Sequence, residues 1–296
     1  MQILGEISGL VTAILWSGSS MAFTNAAETI GSIQLNINRM IIACAFLFLT
    51  ILIAGLSYQL TESQIIFLSL SGAVGLIFGD SFLFAAYRHV GARIGMLVMS
   101  LSPAMSALFA YFFLDEKLSL IAVTGIIITI LGIGLVVLER SEISAAKYKI
   151  SKIGIFYALM GALGQAGGLV LAKFAFNEGD INGFVATFVR VFSATVLMFI
   201  ILLFVRGYKN PIKIYKANPG AFASTVLGTI LGPYLGITTS LIAIKYTKVG
   251  IAATLMATVP IVMLPLVKFI YKEDLNWRAT VGAFITVAGV AILFLR

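Results

Sequence analysis

The sequence predicts an all-α integral membrane protein: ten transmembrane helices arranged as two five-helix repeats of inverted topology. Three observations lead there. Hydrophobic residues make up 60% of the chain and charged residues only 11%, whereas a soluble domain carries about 25% charge. So few charges cannot clothe a water-facing surface. Ten apolar runs reach roughly 20 residues, the length that crosses the hydrocarbon core. Finally, the second half of the chain repeats the first.

The runs cover 3–23, 32–54, 64–84, 94–113 and 119–138, then 153–175, 183–205, 220–244, 249–271 and 276–295. None alternates with period two, which excludes the strands of a membrane barrel. The first run has no Lys or Arg ahead of it in Met1–Glu6. It therefore lacks the basic flank of a cleaved signal and is expected to remain as a spanning helix. The longest polar stretch, 139–152, is the linker between a first unit, 1–138, and a second, 153–296. One cysteine, Cys44, and one histidine, His89, permit neither an internal disulfide nor a His- or Cys-based metal site.

Residues 71–138 overlie 228–295 at an offset of 157 without a gap. The offset pairs Gly75 with Gly232, Gly79 with Gly236, Met99 with Met256 and Pro103 with Pro260. It also pairs Phe112 with Phe269, Glu116 with Glu273, Gly125 with Gly282, Thr129 with Thr286 and Gly132 with Gly289. Apolar residues match often by chance; Pro, Glu and Gly in one register do not. Arg39 and Arg190 share a context too, each a lone cation near the start of a helix. Five helices per repeat is an odd number, so the second unit enters the membrane from the opposite side. That is the architecture on which many secondary transporters exchange inward-open and outward-open states.

The net charge of +8 needs no nucleic acid to explain it, because the basic residues gather in short loops. Of the 20 Lys and Arg, twelve lie on one side, including Arg88, Arg93, Arg140, Lys213 and Lys216, and five on the other. The bias of basic loops toward the cytoplasm then puts both termini outside.

Charges inside a bilayer cost about 2.5 kcal/mol or more on insertion scales, so those that remain need a reason. Asp80 is the only carboxylate deep within the first unit's runs; it suits a cationic group or a coupling proton, or else pairs with Arg88 or another neighbour. Arg190, like Arg39, can hold a carboxylate or phosphate through paired donors, or can snorkel and bond loop carbonyls. Trp16, with Ser17, Ser19 and Ser20, gives helix 1 a polar aromatic stretch. Gln165 holds the comparable place in helix 6, where a solute, a water or another helix must satisfy it. Tyr234 and Thr238 follow Pro233, which frees a backbone carbonyl, as cavity linings in transporters do. Met99 and Met256 suit a permissive apolar pocket or plain core. The stripes Ser71, Gly75, Gly79 and Gly228, Gly232, Gly236 serve close helix packing. Glu116 and Glu273 read as helix N-terminal caps.

At these residues the chain resembles the drug/metabolite transporter superfamily, in particular its EamA-type members. The resemblance rests on Ala13-Ile-Leu-Trp-Ser-Gly-Ser-Ser20, Ser102-Pro103 and Phe113-Leu-Asp-Glu-Lys-Leu118. Ala243-Ile-Lys-Tyr-Thr247, Val259-Pro260 and Tyr271-Lys-Glu-Asp-Leu275 echo them in the second half. It implies a ten-helix exporter or exchanger of small metabolites, such as amino acids or related compounds, in the cell membrane. Helices 1, 3, 4, 6, 8 and 9 would line a cavity and helices 5 and 10 would lie outside it. The resemblance also implies termini inside, against the charge count. The related small multidrug transporters couple protons through a glutamate in helix 1; Trp16 stands at that position here. Proton exchange through Asp80 and uncoupled exchange both remain open.

The expected partners are a small-molecule substrate, the lipid bilayer and, for a coupled carrier, protons. A monomer or weak dimer suffices, since both units are fused. No cofactor is indicated, and no GxxxxGK[ST] phosphate loop points to ATP. An intramembrane enzyme is not expected. Asp80 lacks a second membrane aspartate to share a proton, and His89 is the lone histidine. A passive channel or lipid scramblase is the remaining alternative to a carrier.

Overall fold

The computed structural model describes residues 2–113, 119–138, 151–204, 208–246, 252, 255–266, 268–269 and 277–293. Glu116, Glu273 and most of the linker lie outside the described residues. Among the described residues every regular element is helical. In order they are α1 (Gln2–Ile30), α2 (Ser32–Ile53), α3 (Glu62–Gly72), a π-helical turn (Ala73–Gly79) and α4 (Asp80–Met99). Then come α5 (Ser102–Phe113), α6 (Leu120–Leu138), α7 (Lys152–Asn177), α8 (Gly183–Phe204) and the short α9 (Pro211–Ala217). The chain continues through α10 (Pro219–Thr229), a second π turn (Ile230–Tyr234), α11 (Leu235–Tyr246), α12 (Val259–Leu266) and α13 (Trp277–Leu293).

Among the described residues six continuous helical stretches are long and apolar enough to cross a membrane, and Val123–Leu135 and Thr280–Ile292 form shorter apolar helices. Large apolar side chains such as Ile3, Ile14, Leu52, Ile65, Leu131 and Phe284 face outward. They are stable there only if lipid is the solvent. The molecule is an integral membrane protein.

One of the six stretches, Glu62–Met99, is 38 residues long, nearly twice a spanning length. It is two helices. Gly91 has φ +74° and ψ 170° inside it, a left-handed conformation that glycine adopts without the Cβ penalty. Tyr87 Oη donates to Met96 Sδ at 3.0 Å, although nine residues of straight helix would separate them by about 13 Å. The chain therefore doubles back at Gly91. The third spanning helix is 62–90, longer than the expected 64–84, and Asp80 lies well inside it rather than near its end.

The fourth expected helix, 94–113, is interrupted. Helix α4 stops at Met99, a turn follows at Ser100 and Leu101, and α5 starts at Ser102. The ninth expected helix, 249–271, breaks in the same way: the turn falls at Ala257 and Thr258, and α12 begins at Val259. The two turns are 157 residues apart, and Pro103 and Pro260 occupy the first turn of the helices that follow. Proline is preorganised for that position, where an N–H would lack a partner anyway.

The π turns obey the same offset, beginning at Ala73 and Ile230. A π turn leaves carbonyls whose helical donors are displaced, and side chains from other helices take them up. Leu76 O accepts from Asn36 Nδ2 at 2.9 Å. Gly228 O, five residues before Pro233, accepts from Ser19 Oγ at 3.0 Å.

Helices α6 and α13 close on each other through a contact that is the same from either side. A Cβ on Gly132 would lie 2.5 Å from Thr286 N and 2.9 Å from Gly282 O; one on Gly289 would lie 2.4 Å from Thr129 N and 2.9 Å from Gly125 O. Thr129 and Thr286 each bond back to the carbonyl four residues earlier, both at 2.8 Å. A contact that survives exchange of its halves is the mark of a two-fold relation. The expected glycine stripes pack as small-residue surfaces should: Gly75 and Gly79 against Gly168 and Gly164 of α7, Gly228 against Phe23, and Gly236 against Trp16.

Candidate functional site

A cavity of about 140 Å³ lies where α1, the third spanning helix, α7, α8 and the two interrupted helices meet. For scale, a cavity of about 150 Å³ admits benzene. Its wall includes Trp16, Ser19, Asp80, Met99, Gln165, Arg190 and Met256 of the residues singled out from the sequence. Tyr234 and Thr238 are not in that wall. The Tyr234 hydroxyl turns to Thr50 Oγ1 at 2.8 Å. Thr238 bonds Thr187 at 3.3 Å and Tyr234 O at 2.6 Å, tying α11 to α8.

The polar floor is a network around Asp80. One carboxylate oxygen takes the Arg39 guanidinium. The other accepts from Gln165 Nε2 at 2.7 Å. Arg39 Nε donates in turn to Asn36 Oδ1 at 3.0 Å, and Asn36 Nδ2 also reaches Ser81 Oγ at 2.8 Å. The guanidinium carbon lies 5.6 Å from the Phe23 ring centroid and 4.7 Å from that of Phe84, within cation–π range. Asp80 is thus the counter-ion of Arg39, not of Arg88. Gln165 finds its partner in Asp80. A buried pair of opposite charges needs such further hydrogen bonds to offset its desolvation.

Arg190 is built differently. The residue is as buried as Arg39, at 4% exposure against 3%. Yet its Nε has no hydrogen-bond partner among the described residues. A Cβ on Gly75 would lie 3.2 Å from Arg190 Nη2, so the absent side chain of the π turn makes room for this guanidinium. Among the described residues the arrangement is chemically simple: two buried cations share one carboxylate, which is ion-paired with Arg39 and acts on Arg190 only at longer range.

The pairing of Arg39 with Asp80 was reachable from sequence, because a lone cation and a lone carboxylate in neighbouring spans must neutralise each other. Phe23, Phe84 and Tyr87, which wall the cavity beside them, carried no signal that separates cavity from core.

The sequence profile of the EamA-like transporter family matches residues 3–138 and again 152–295. The chain belongs to that family. This EamA-like chain is 22% identical over 213 residues to Protein LicB of Haemophilus influenzae, a match spanning 70% of this chain and 69% of LicB. It is 28% identical over 123 residues to the uncharacterized transporter YxxF of Bacillus subtilis, covering 42% of this chain and 38% of YxxF. A protein of known crystal structure superposes with a TM-score of 0.71 at 19% identity, over 98% of this chain and 96% of its own. At that identity the likeness speaks for the fold alone.

Proposed function

We propose that this EamA-family membrane transporter is a secondary carrier that exports or exchanges a small metabolite by alternating access, with its binding site in the central cavity. The observation that carries the reading is the pair of interrupted helices, broken 157 residues apart at Ser100–Leu101 and Ala257–Thr258, that both wall one cavity. Matching breaks in two halves, meeting at one largely apolar cavity with a charged floor, are what an exchange of conformations around a fixed site requires. The units 1–138 and 153–296 are the two bodies that exchange. An uncoupled exchanger fits better than proton coupling through Asp80, because both oxygens of that carboxylate are already engaged. The fused halves make a complete cavity within one chain, so a monomer is sufficient.

Counterflow into proteoliposomes tests this. Vesicles are loaded with members of a panel of amino acids, amines and small organic acids, and uptake of the same labelled solute is followed. The expected result is saturable uptake accelerated by solute trapped inside. A linear, non-saturable leak would favour a passive channel instead.

A further inference from the structure

We infer that the transported solute carries a carboxylate or a similar small oxyanion and that Arg190 is the residue that pairs with it; this rests on the carrier reading above. Three independent features converge on the cavity. The first is charge. Among the described residues two arginines face one carboxylate; Asp80 is ion-paired with Arg39 and reaches Arg190 only at longer range, so the wall keeps one positive charge in excess. A buried cation without a counter-ion is costly and persists where it has a use.

The second is the repeat itself. Arg39 lies seven residues after the start of α2, and Arg190 seven after the start of α8. Arg39 meets Asp80. The residue 157 positions beyond Asp80 is Ile237, which also walls the cavity. The second half therefore repeats the arginine and replaces its carboxylate with an apolar side chain. A solute's own carboxylate fits the missing half of the pair, with the bidentate geometry that guanidinium offers.

The third is the backbone. The interrupted helices present the first turn of α5, at Ser102 and Pro103, and of α12, at Val259, to the same cavity. Helix N-termini carry the positive end of the helix dipole and favour an anionic group. Among the described residues of the wall no second carboxylate opposes them. The volume of about 140 Å³ sets the size of the solute near that of a short-chain organic acid or a small amino acid.

The test reads the sign of the field without needing the substrate. Trp16 walls the cavity, and Trp277 is the other tryptophan of two. In the full-length Trp277→Phe protein, held in an uncharged detergent, Trp16 is the sole reporter. Its quenching by iodide, caesium and acrylamide is measured, each normalised to the same quencher acting on free N-acetyltryptophanamide. An unpaired buried cation enriches a small anion about tenfold or more over a cation, so iodide should quench Trp16 far better than caesium. Arg190→Gln should erase the preference. Ile237→Asp, which restores the counter-ion and keeps the arginine, should erase it as well, so the result does not hang on one variant.

Equal quenching by both ions, a preference for caesium, or an iodide preference that survives Arg190→Gln would overturn the assignment. So would quenching by acrylamide alone, or by none of the three. Failure here leaves the carrier reading intact, since counterflow of a cationic or neutral solute would still establish it.

Discussion

The two halves of this transporter share their backbone devices and differ in their buried charge. Each has a π turn, at Ala73 and at Ile230. Each has an interrupted helix and one side of the reciprocal glycine–threonine clasp. Each has a buried arginine seven residues into a helix. Among the described residues only the first half supplies a carboxylate to the cavity wall, Asp80, and there the arginine is bonded, stacked and neutralised. In the second half Ile237 stands at the equivalent position, and Arg190 keeps an unsatisfied Nε. The lesson is a division of labour. On the carrier reading proposed above, the duplicated devices serve the conformational exchange and the unduplicated charge serves the solute.

The comparison breaks most visibly if the arginines are neutralised in turn. Arg39→Gln strands Asp80, and Asp80→Asn strands Arg39. Removing one partner of a buried pair costs about 3–5 kcal/mol, so both variants should unfold at clearly lower temperature in detergent. Arg190→Gln should cost clearly less than Arg39→Gln, because Asp80 is ion-paired with Arg39 and acts on Arg190 only at longer range. Equal losses from Arg39→Gln and Arg190→Gln would erase the distinction between them.

A smaller effect is expected at the clasp. Gly132→Ala and Gly289→Ala each drive a methyl group into the opposing backbone, an overpacking worth about 1–3 kcal/mol. The two losses should match, since the two environments match. Gly134→Ala, which meets nothing within 4 Å, is the control and should be neutral. Unequal losses at Gly132 and Gly289 would argue against the two-fold relation.

Smallest is Tyr234→Phe. It removes one hydrogen bond, to Thr50, for about 1 kcal/mol, and thermal unfolding should register that loss. Counterflow affinity should not change, because the hydroxyl faces α2 and not the cavity.

How much of this was legible in the sequence follows from what each feature depends on. Spans such as 32–54 and 183–205 were readable because hydropathy over a spanning length is a local property. They return as Ser32–Ile53 and Gly183–Phe204. The turn at Gly91 was legible too, since it falls between the expected runs 64–84 and 94–113, beside Arg88 and Arg93. The break after Met99 was not, because Leu97, Val98 and Leu101 keep the run apolar across it. The short helix α9 escaped as well, since seven residues give no periodicity to read. At the site, an offset of 157 was enough to pair Met99 with Met256 and Pro103 with Pro260. It did not tell Tyr234 from Trp16, because which face of a π turn looks into a cavity depends on the helices packed around it. Proline at 233 was expected to free a carbonyl; that Ser19 would take it up required the crossing of α1 over the second π turn.

Alternating access requires that one cavity be reached from each side of the membrane in turn. Met99→Cys, made in a Cys44→Ser background so that it is the only thiol, places a reactive group in the cavity wall. Proteoliposomes of each orientation are treated with a membrane-impermeant thiol reagent. The expected result is modification of the introduced thiol from either face in separate preparations, and the same for the matching Met256→Cys variant. Modification from one face only, however long the exposure, would contradict it.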